Sequence, residues 1–271
     1  QGGADAWGQV AKLTASDGTG YDDFGHSVAI SGDTVAVGAY GDNDLGLYSG
    51  SAYIFGRDQG GTDAWGQVAK LTASDGASSD YFGYSVAISG DTVVVGADGD
   101  DDNGSSSGSV YIFRQDQGGT DAWGQVAKLT ASDGARDDAF GISVSISGDS
   151  IVVGAYYDDD QGSNSGSAYL FADTAAPVNP TLSSTSHAAS QWSNDDSIDF
   201  SWSGAADEFS GVAGYSVVMD TASDTTPDDI VDVDHGTDPH SLTVGPVADG
   251  TNWNFHLRTC DAAGNCAAAE H

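Results

Sequence analysis

A unit of 58 residues occurs three times in succession in this sequence, and this repetition constrains the fold more than any other feature. The copies span 1–58, 59–116 and 117–174, and they align without a gap. A tryptophan near the start of each copy shows the spacing: Trp7, Trp65 and Trp123. A repeat of this length is usually one supersecondary unit that buries its apolar face only by stacking on its neighbours. The sequence therefore predicts a repeat scaffold that presents surfaces, and it argues against a single catalytic pocket.

Each copy contains four short runs of β-branched or aromatic residues bounded by Gly, Asp and Ser, a pattern typical of strands. In the second copy these runs, named A to D, are Ser85–Ile88, Thr92–Ala97, Ser109–Phe113 and Trp123–Thr130. No stretch holds a helical period. A four-stranded antiparallel unit repeated at this interval is typical of a propeller blade. We therefore predict an all-β fold, with three four-stranded antiparallel propeller blades over residues 1–173 and a β-sandwich after them.

The residues around strands A and B carry a family resemblance. Phe82–Ile88 followed by Val95–Ala97 resembles the FG-GAP repeat of integrin-type β-propellers, and most of all its bacterial variety. The other copies repeat the match with Phe24-Gly25 and Gly38-Ala39, and with Phe140-Gly141 and Gly154-Ala155. The resemblance covers residues 1–173 and implies β-propeller blades.

The calcium sites of integrins are not part of this resemblance. In the integrin pattern the calcium loop follows the first inner strand. Here that position holds the turns Ile30–Thr34 and Ile88–Thr92, which are too short and too poor in carboxylates to form such a loop.

The chain is strongly acidic, because 41 acidic residues against 7 Lys plus Arg give a formal net charge of −34. A surface this negative repels nucleic acid and anionic lipid, so we expect neither as a partner. The aspartates have two explanations. They solvate the surface from turns, which favour Asp, or some of them bind divalent cations, which prefer hard oxygen ligands.

Strand counting places two sets of acidic loops on one face of the blades, because antiparallel order brings the B–C loop and the D–A connection together. The carboxylates of the B–C loops are Asp42, Asp44, Asp100, Asp102, Asp158 and Asp160. Those of the D–A connections are Asp17, Asp22, Asp75, Asp80, Asp133 and Asp138. Unpaired carboxylates repel one another, and a cation in each blade would relieve this repulsion. We predict calcium at these residues, with solvated turn aspartates as the alternative.

The repeat begins with strand D, so each copy supplies the outer strand of one blade and the inner three strands of the next. Trp7–Thr14 is therefore a D strand without its blade, and Ser143–Phe171 is an A-B-C set without its D strand. Propellers usually have about 4–8 blades, and an uncovered strand edge is an aggregation hazard. Three arrangements would cover it: further blades upstream in a longer parent protein, two chains closing a six-bladed ring, or strand donation from chain to chain into a filament.

The repeated tryptophans have two interpretations as well. They cap the apolar seams between blades and so belong to the assembly of the blades, or they form a rim on which a ligand stacks. The residues concerned are Trp7, Trp65 and Trp123.

A second domain follows the repeats. Pro residues and a Ser/Thr run over 174–190 predict a linker that enters a first strand, and short alternating strands over 191–271 predict a β-sandwich. Asp249–Arg258 with Asp261–Asn265 resembles the closing strands of bacterial immunoglobulin-like or fibronectin type III-like modules. Such modules are usually spacers or adhesive stalks of secreted proteins.

The two cysteines indicate the compartment. Cys260 and Cys266 are separated by a short Gly-Asn-containing segment, which predicts a disulfide-linked turn, whereas zinc would need more ligands than this segment offers. A disulfide implies an oxidising location, extracellular or at the cell surface. No window approaches about 18 apolar residues, so we expect no membrane insertion.

Motifs for catalysis are weak. Gly104–Gly108 matches the Gly-x-Ser-x-Gly nucleophile elbow in letters, but it lies in a strand-to-strand loop, whereas the elbow needs a strand-to-helix turn. We therefore expect no enzyme. The sequence favours a non-catalytic extracellular or cell-surface scaffold for adhesion or recognition, which binds a protein or glycan partner or copies of itself. The alternatives are a structural subunit that polymerises head to tail by β-strand completion into an extracellular filament, and an accessory module of a secreted hydrolase.

Overall fold

A computed structural model describes residues 7–117, 119, 122–184, 197–207, 211–236, 239–246 and 253–270. Over these residues the protein is all-β and contains no helix, which confirms the predicted fold class. The strands form small antiparallel sheets of three or four strands each. The chain divides into two compact units between Phe171 and Ala172.

Blades one and two each contain four strands in chain order. Blade one comprises β1 (Val28–Ser31), β2 (Thr34–Ala39), β3 (Ser51–Gly56) and β4 (Gly66–Leu71). Blade two comprises β5 (Ser85–Ser89), β6 (Thr92–Ala97), β7 (Ser109–Gln115) and β8 (Trp123–Leu129). The four strands predicted for the second copy are therefore present in the predicted order. Glycine makes the tight A–B turns possible, since Gly32 and Gly90 both adopt a φ of 54°.

Blade three contains β9 (Phe140–Ser147), β10 (Ser150–Ala155) and β11 (Ser167–Ala172), which are its A, B and C strands. After β11 the chain enters the second unit and does not repeat the sequence that supplies β4 and β8. The first copy of that sequence, Trp7–Leu13, forms no strand, and Trp7 is fully exposed. Of the three predicted blades, two thus have four strands and the third has three within the part of the chain that is described.

Neighbouring blades bury their apolar faces against each other. The core between blades one and two includes Ile54 of β3 and Val95 of β6. A glycine permits the close approach, because a Cβ at Gly38 would overlap the carbonyl oxygen of Gly83 in the next blade, and the same relation recurs one repeat later. The Gly-Ala part of one blade therefore receives the Phe-Gly part of the following blade.

The second unit contains two three-stranded antiparallel sheets. One sheet comprises β12 (Thr181–Ser184), β13 (Ile198–Ser203) and β16 (His240–Val244), and the other β14 (Val212–Asp220), β15 (Val233–Asp234) and β17 (Asn254–Asp261). Side chains from both sheets share one core around Trp202 and Tyr215, which is the arrangement of a β-sandwich.

The second unit contains the predicted linker segment, the two cysteines and the motif that resembles immunoglobulin-like modules. The segment 174–190, predicted as linker and first strand, contains β12 and is otherwise described only up to residue 184. Cys260 and Cys266 form the predicted disulfide. Part of the motif over 249–258 lies outside the described residues, and the immunoglobulin-like identity of this unit stays a resemblance.

Candidate binding face of the blades

The B–C loop and the D–A connection of each blade meet at one face, and in blade one they enclose a lysine. Lys70 lies on β4, and its Nζ forms ion pairs with Asp17 at 2.7 Å, Asp42 at 3.0 Å and Asp44 at 2.5 Å. The hydroxyl of Tyr53 lies 3.0 Å from Asp17 Oδ1 and 2.9 Å from Asp42 Oδ2. An ammonium group has three donors, so Lys70 supplies one to each carboxylate of this triad.

Blade two contains the same arrangement one repeat later. Lys128 Nζ lies 2.7 Å from Asp75, 3.2 Å from Asp100 and 2.6 Å from Asp102. The Tyr111 hydroxyl lies 2.8 Å from both Asp75 Oδ1 and Asp100 Oδ2. Two independent copies of one geometry indicate that the triad and its lysine are a regular part of a complete blade.

The lysines control the charge state of the triads. The hydrogen bond from Lys70 lowers the pKa of Asp17. Burial alone would raise the pKa of Asp75, but hydrogen bonds from Lys128 and Tyr111 bring it below its usual value. Burial would lower the pKa of Lys128, and its carboxylate partners raise it instead. Asp17 and Asp75 are therefore ionised at neutral pH, and each is paired with a protonated lysine.

Blade three has the carboxylates without the lysine. The Tyr169 hydroxyl lies 2.9 Å from Asp133 Oδ1 and 2.8 Å from Asp158 Oδ2, as in the other blades. Strand D would carry the lysine, and no strand D pairs with β11 among the described residues. The negative charges of Asp158 and Asp133 consequently raise the pKa of Asp160.

The remaining predicted ligands lie apart from the triads. Asp22, Asp80 and Asp138 are buried, and each accepts a hydrogen bond from the backbone N–H three residues earlier, at 2.5 to 2.7 Å. These carboxylates close the turn of the D–A connection, which is a common role of Asp in turns. The structure thus brings together three of the four predicted carboxylates of each of the first two blades.

The two complete triads could hold a metal ion, because their carboxylate oxygens lie within 4.8 Å of one another. The cation that this structure places among them is the lysine ammonium group. A calcium ion, which takes about 6–8 oxygen ligands, would have to displace Lys70 or Lys128 to bind there. Calcium at these residues stays a prediction.

An aromatic cluster lies on the B–C loop of blade one and on the D–A connections that lead into blades one and two. His26 contacts Tyr40 and Tyr84 with ring centroids 4.6 and 4.7 Å apart, and Tyr40 lies 6.0 Å from Tyr81. A hydrogen bond to Asp23 raises the pKa of Tyr40 and fixes its hydroxyl. The cluster spans the loops of blades one and two; His26 is exposed, and the three tyrosines are half-buried.

The three repeated tryptophans differ in their surroundings. Trp123 packs against the core between blades one and two, where it lines a cleft of about 290 Å³ together with Ile54 and Val68. Trp65 is half-buried, whereas Trp7 is fully exposed.

A further carboxylate cluster occurs in the second unit and was not predicted. Oxygens of Asp173, Asp207 and Asp261 lie within 4.8 Å of one another. Asp261 accepts hydrogen bonds from the backbone and side-chain nitrogens of Asn265 at 2.7 and 2.9 Å. The three residues are distant in sequence and carry no period, so no sequence signal connects them.

The sequence profile of the FG-GAP repeat family matches residues 7–55, 65–113 and 123–171, which together make up more than half of the chain. The chain belongs to the FG-GAP repeat family. Each matched segment begins at one of the repeated tryptophans, at the start of the D sequence, and ends within strand C of the next blade, which is the D-A-B-C order predicted from the sequence. The second unit lies outside the matched segments. No curated protein matches the chain.

FG-GAP repeats indicate an extracellular β-propeller module of the adhesion or recognition type, and the disulfide agrees with an extracellular location. The described residues form no helix of the length and apolarity needed to cross a membrane.

The lysines of the triads are the site residues that the sequence analysis missed. Their signal is present in the sequence, since Lys12, Lys70 and Lys128 recur at the repeat interval. The aromatic cluster has a weaker signal, because Tyr84 corresponds to His26 in one copy and to Ile142 in the other.

Proposed function

We infer that the FG-GAP blades of this protein form a non-catalytic scaffold, extracellular or at the cell surface, that binds a glycan or protein partner. The observation that supports this most directly is the aromatic cluster of His26, Tyr40, Tyr81 and Tyr84 on the acidic loops of blades one and two. Aromatic rings of this kind combine an apolar body with a polar tip, and they are favoured in recognition surfaces for that reason.

The chemistry of the face fits a neutral, hydroxyl-rich or amide-rich partner. Ring faces pack against the C–H groups of a sugar or against apolar side chains. Neighbouring carboxylates accept hydrogen bonds from hydroxyl and amide groups. The net charge of −34 disfavours nucleic acid and other polyanions.

The state of the carboxylates favours binding over catalysis. A general acid needs a pKa near the working pH. The carboxylates of Asp17 and Asp75 have pKa values below their usual range because of their lysine partners. They are suited to holding a structure and accepting hydrogen bonds, and less suited to donating a proton.

Calcium is a further part of this proposal. A bound ion would add to the polar contacts of the face, and it would compete with the lysines for the triads. Because binding to the folded state alone stabilises a protein, an effect of chelation on the melting temperature would support it.

The test is a binding screen of the full chain against glycan and extracellular-protein arrays, followed by substitutions in the cluster. Tyr40→Ala and Tyr84→Ala should each weaken a detected interaction by at least about tenfold, from lost ring contacts. Tyr21→Ala is the matched control, since Tyr21 is exposed on the same loops but outside the cluster. Equal effects of Tyr21→Ala and Tyr84→Ala, or no ligand at all, would contradict the assignment.

A further inference from the structure

The side of blade three that faces away from blade two is uncovered and apolar. Leu170 on β11 is 71% exposed, whereas the residues at the same place in blades one and two, Ile54 and Ile112, are 0% and 7% exposed. Val152 on β10 is 44% exposed, and its counterpart Val94 is 0% exposed. The difference arises because the next blade covers this side in blades one and two.

We propose that a second copy of this chain completes blade three, adding its residues 7–13 as the fourth strand beside β11 and stacking its own blade one on the uncovered side. The two internal joints, between blades one and two and between blades two and three, are the templates for this intermolecular joint. This intermolecular joint does not depend on a ligand at the aromatic cluster.

The strand register follows from the two complete blades. Tyr53 lies opposite Lys70 and Ile54 opposite Ala69 in blade one, and the same pairs recur in blade two. Residues 7–13 carry the same sequence as these D strands. The corresponding pairs across the new joint are Tyr169 with Lys12 and Leu170 with Ala11 of the second copy.

Charge complementarity selects this segment. In blades one and two the ammonium group of strand D lies among three carboxylates. Among the described residues, no strand D brings an ammonium group to Asp133, Asp158 and Asp160 in blade three. Lys12 is exposed. Strand addition therefore delivers one positive charge to the place where three negative charges repel one another.

Each internal joint contains a hydrogen bond from a serine hydroxyl to a backbone carbonyl of the following blade, and blade three has the corresponding serine. Ser27 and Ser85 donate hydrogen bonds from Oγ to the carbonyl oxygens of Gly83 and Gly141 in the following blade, at 2.8 and 2.7 Å. The equivalent donor in blade three is Ser143, and its acceptor would be Gly25 of the second copy.

Gly154, beside Ser143, also lacks the neighbour that its counterpart Gly96 has. A Cβ at Gly96 would overlap the carbonyl oxygen of Gly141, whereas a Cβ at Gly154 would meet only the side chain of Ser143 at close range. The space beside Gly154 is therefore large enough for a following blade, and none of the described residues fills it.

Blade one presents the complementary surface. Val28 and Ile30 on β1 are 67% and 66% exposed, while their counterparts Val86 and Ile88 are 8% and 9% exposed against the preceding blade. Both ends of the row of blades therefore expose apolar side chains at the positions that are buried in the internal joints.

Within residues 1–271, the segment 7–13 does not suit blade three of its own molecule. In the internal joints, strand D belongs to the blade directly before the A strand into which it leads. Residues 7–13 lead into β1, so their blade must precede blade one. Blade three of the same molecule would precede blade one only if the three blades closed into a ring, and three is below the usual range of about 4–8 blades.

The first experiment measures the mass of the full chain by light scattering over a range of concentrations. We would use 1 M salt, where the Debye length is about 3 Å and repulsion between the acidic copies is suppressed. Species of at least twice the 27.4 kDa of one chain, increasing with concentration, support the joint. A closed six-bladed dimer and an open filament both contain it. A monomer at every concentration overturns the proposal.

Two variants disable the two sides of the joint separately. Lys12→Glu disables the donor and should weaken association by about 100-fold or more, as for loss of one partner of a hydrogen-bonded charge pair. Gly154→Ala disables the acceptor, because the new methyl group takes the place of the incoming Gly25 carbonyl. Gly20→Ser is the control, since the equivalent residue in the second copy is Ser78, and it should leave the mass unchanged.

Mixing the two variants distinguishes a specific joint from general damage. Each variant alone should be monomeric, and an equal mixture should form a dimer, because the Gly154→Ala chain retains its donor and the Lys12→Glu chain its acceptor. Failure of the mixture to associate, with both variants folded, would refute the model of strand donation.

A disulfide tests the register directly. Paired residues in an antiparallel sheet have Cα atoms about 4.5–5.5 Å apart, within the range of a disulfide. A chain carrying Ala11→Cys and Leu170→Cys should form chain-to-chain crosslinks on oxidation, and one carrying Thr14→Cys and Leu170→Cys should not. Equal crosslinking of the two chains contradicts the register.

Discussion

Replacing Lys128 by Met removes the ammonium group from among Asp75, Asp100 and Asp102 and keeps most of the length of the side chain. We expect this substitution to destabilise blade two, because it leaves three carboxylates without their cation. The Tyr111 hydroxyl still donates to Asp75 and Asp100, and Asp100 keeps its hydrogen bonds from Ser109 Oγ and the Asp102 backbone N–H, but these neutral donors do not replace the lost positive charge.

The magnitude follows from the exposure of each pair. The side chains of Lys128 and Asp100 are 17% and 6% exposed, whereas those of Asp75 and Asp102 are 48% and 46% exposed. Breaking a buried pair costs about 3–5 kcal/mol, and an exposed pair contributes about 0–1 kcal/mol. Since the triad is open to water on one side, we expect a loss of about 3 kcal/mol. For a unit of this size that lowers the melting temperature by about 6–12 °C.

The assay is urea and thermal unfolding of the full chain, following the transition of the first unit. Lys12→Met is the matched control, because it removes the same group from an exposed residue for which the structure describes no ion pair. It should leave the transition of a monomeric sample unchanged. If Lys128→Met shifts the transition no more than Lys12→Met does, the lysine does not hold the triad and the reasoning fails.

The pH dependence supplies a second check on the same variant. The pKa of Asp75 is below its usual value in the folded protein. Its contribution is therefore present above the unfolded pKa of about 3.9 and is lost as the pH falls through the lower folded value. The pKa of Lys128 is raised, so its contribution persists until strongly alkaline pH. The difference between wild type and variant should be constant at neutral pH and shrink below about pH 4.

Three further predictions concern calcium, a buried carboxylate and the joint glycines. If calcium binds the triads, a chelator lowers the melting temperature of the wild type, and calcium partly restores Lys128→Met; an unchanged melting temperature in both cases argues for solvated or lysine-paired aspartates. Burial raises the pKa of Asp98 to about 6, so its folded form holds a proton longer than its unfolded form, and stability falls as the pH rises from about 4 to 6. Asp98→Asn should remove this slope and stabilise the protein by about 2 to 3 kcal/mol at pH 7, as urea unfolding at pH 4 and 7 would show; a parallel slope in the variant would contradict this. Gly96→Ala should destabilise the protein by more than about 2 kcal/mol, because the methyl group meets backbone of the next blade, whereas Gly154→Ala in a monomeric sample should cost less than about 1 kcal/mol by the same unfolding measurement; equal losses would show that the two sites are equivalent within one chain.

The blade architecture was predictable because the same pattern of strands and turns occurs in three copies of the repeat. Alternation of apolar residues and Gly/Asp/Ser boundaries located strands A to D in the second copy, and strand order placed the acidic loops on one face. The convergence of Asp17, Asp42 and Asp44 follows from that order alone. Strand order does not give side-chain direction, so it could not separate these residues from Asp22, which turns inward to bond its own loop.

The lysine escaped prediction for a physical reason. The carboxylates lie in loops that are recognisably acidic in the sequence. The lysine that neutralises them lies in the middle of strand D, a different part of the repeat. Only the pairing of Lys70 with Tyr53 across β3 and β4 brings it to the loops. The aromatic cluster was hidden for another reason, since no position of the cluster is aromatic in all three copies. The Asp173, Asp207 and Asp261 cluster depends on how the second unit folds, which its short strands do not specify.

Lysine also explains how a repeat of such uniform sequence selects its strand register. Side chains alternate between the two faces of a strand, so a slip of one residue would carry Lys70 or Lys128 away from its carboxylates. With 41 acidic residues in the chain, an ammonium group has many surface partners, but only one register sets it among three of them with a tyrosine ring about 5 Å away (5.3 Å for Lys70 and 5.1 Å for Lys128). The same selection applies at the edge of β11, where any incoming strand must offer a lysine opposite Tyr169. Residues 7–13 satisfy that condition, and a slipped or unrelated strand leaves Asp133, Asp158 and Asp160 in mutual repulsion.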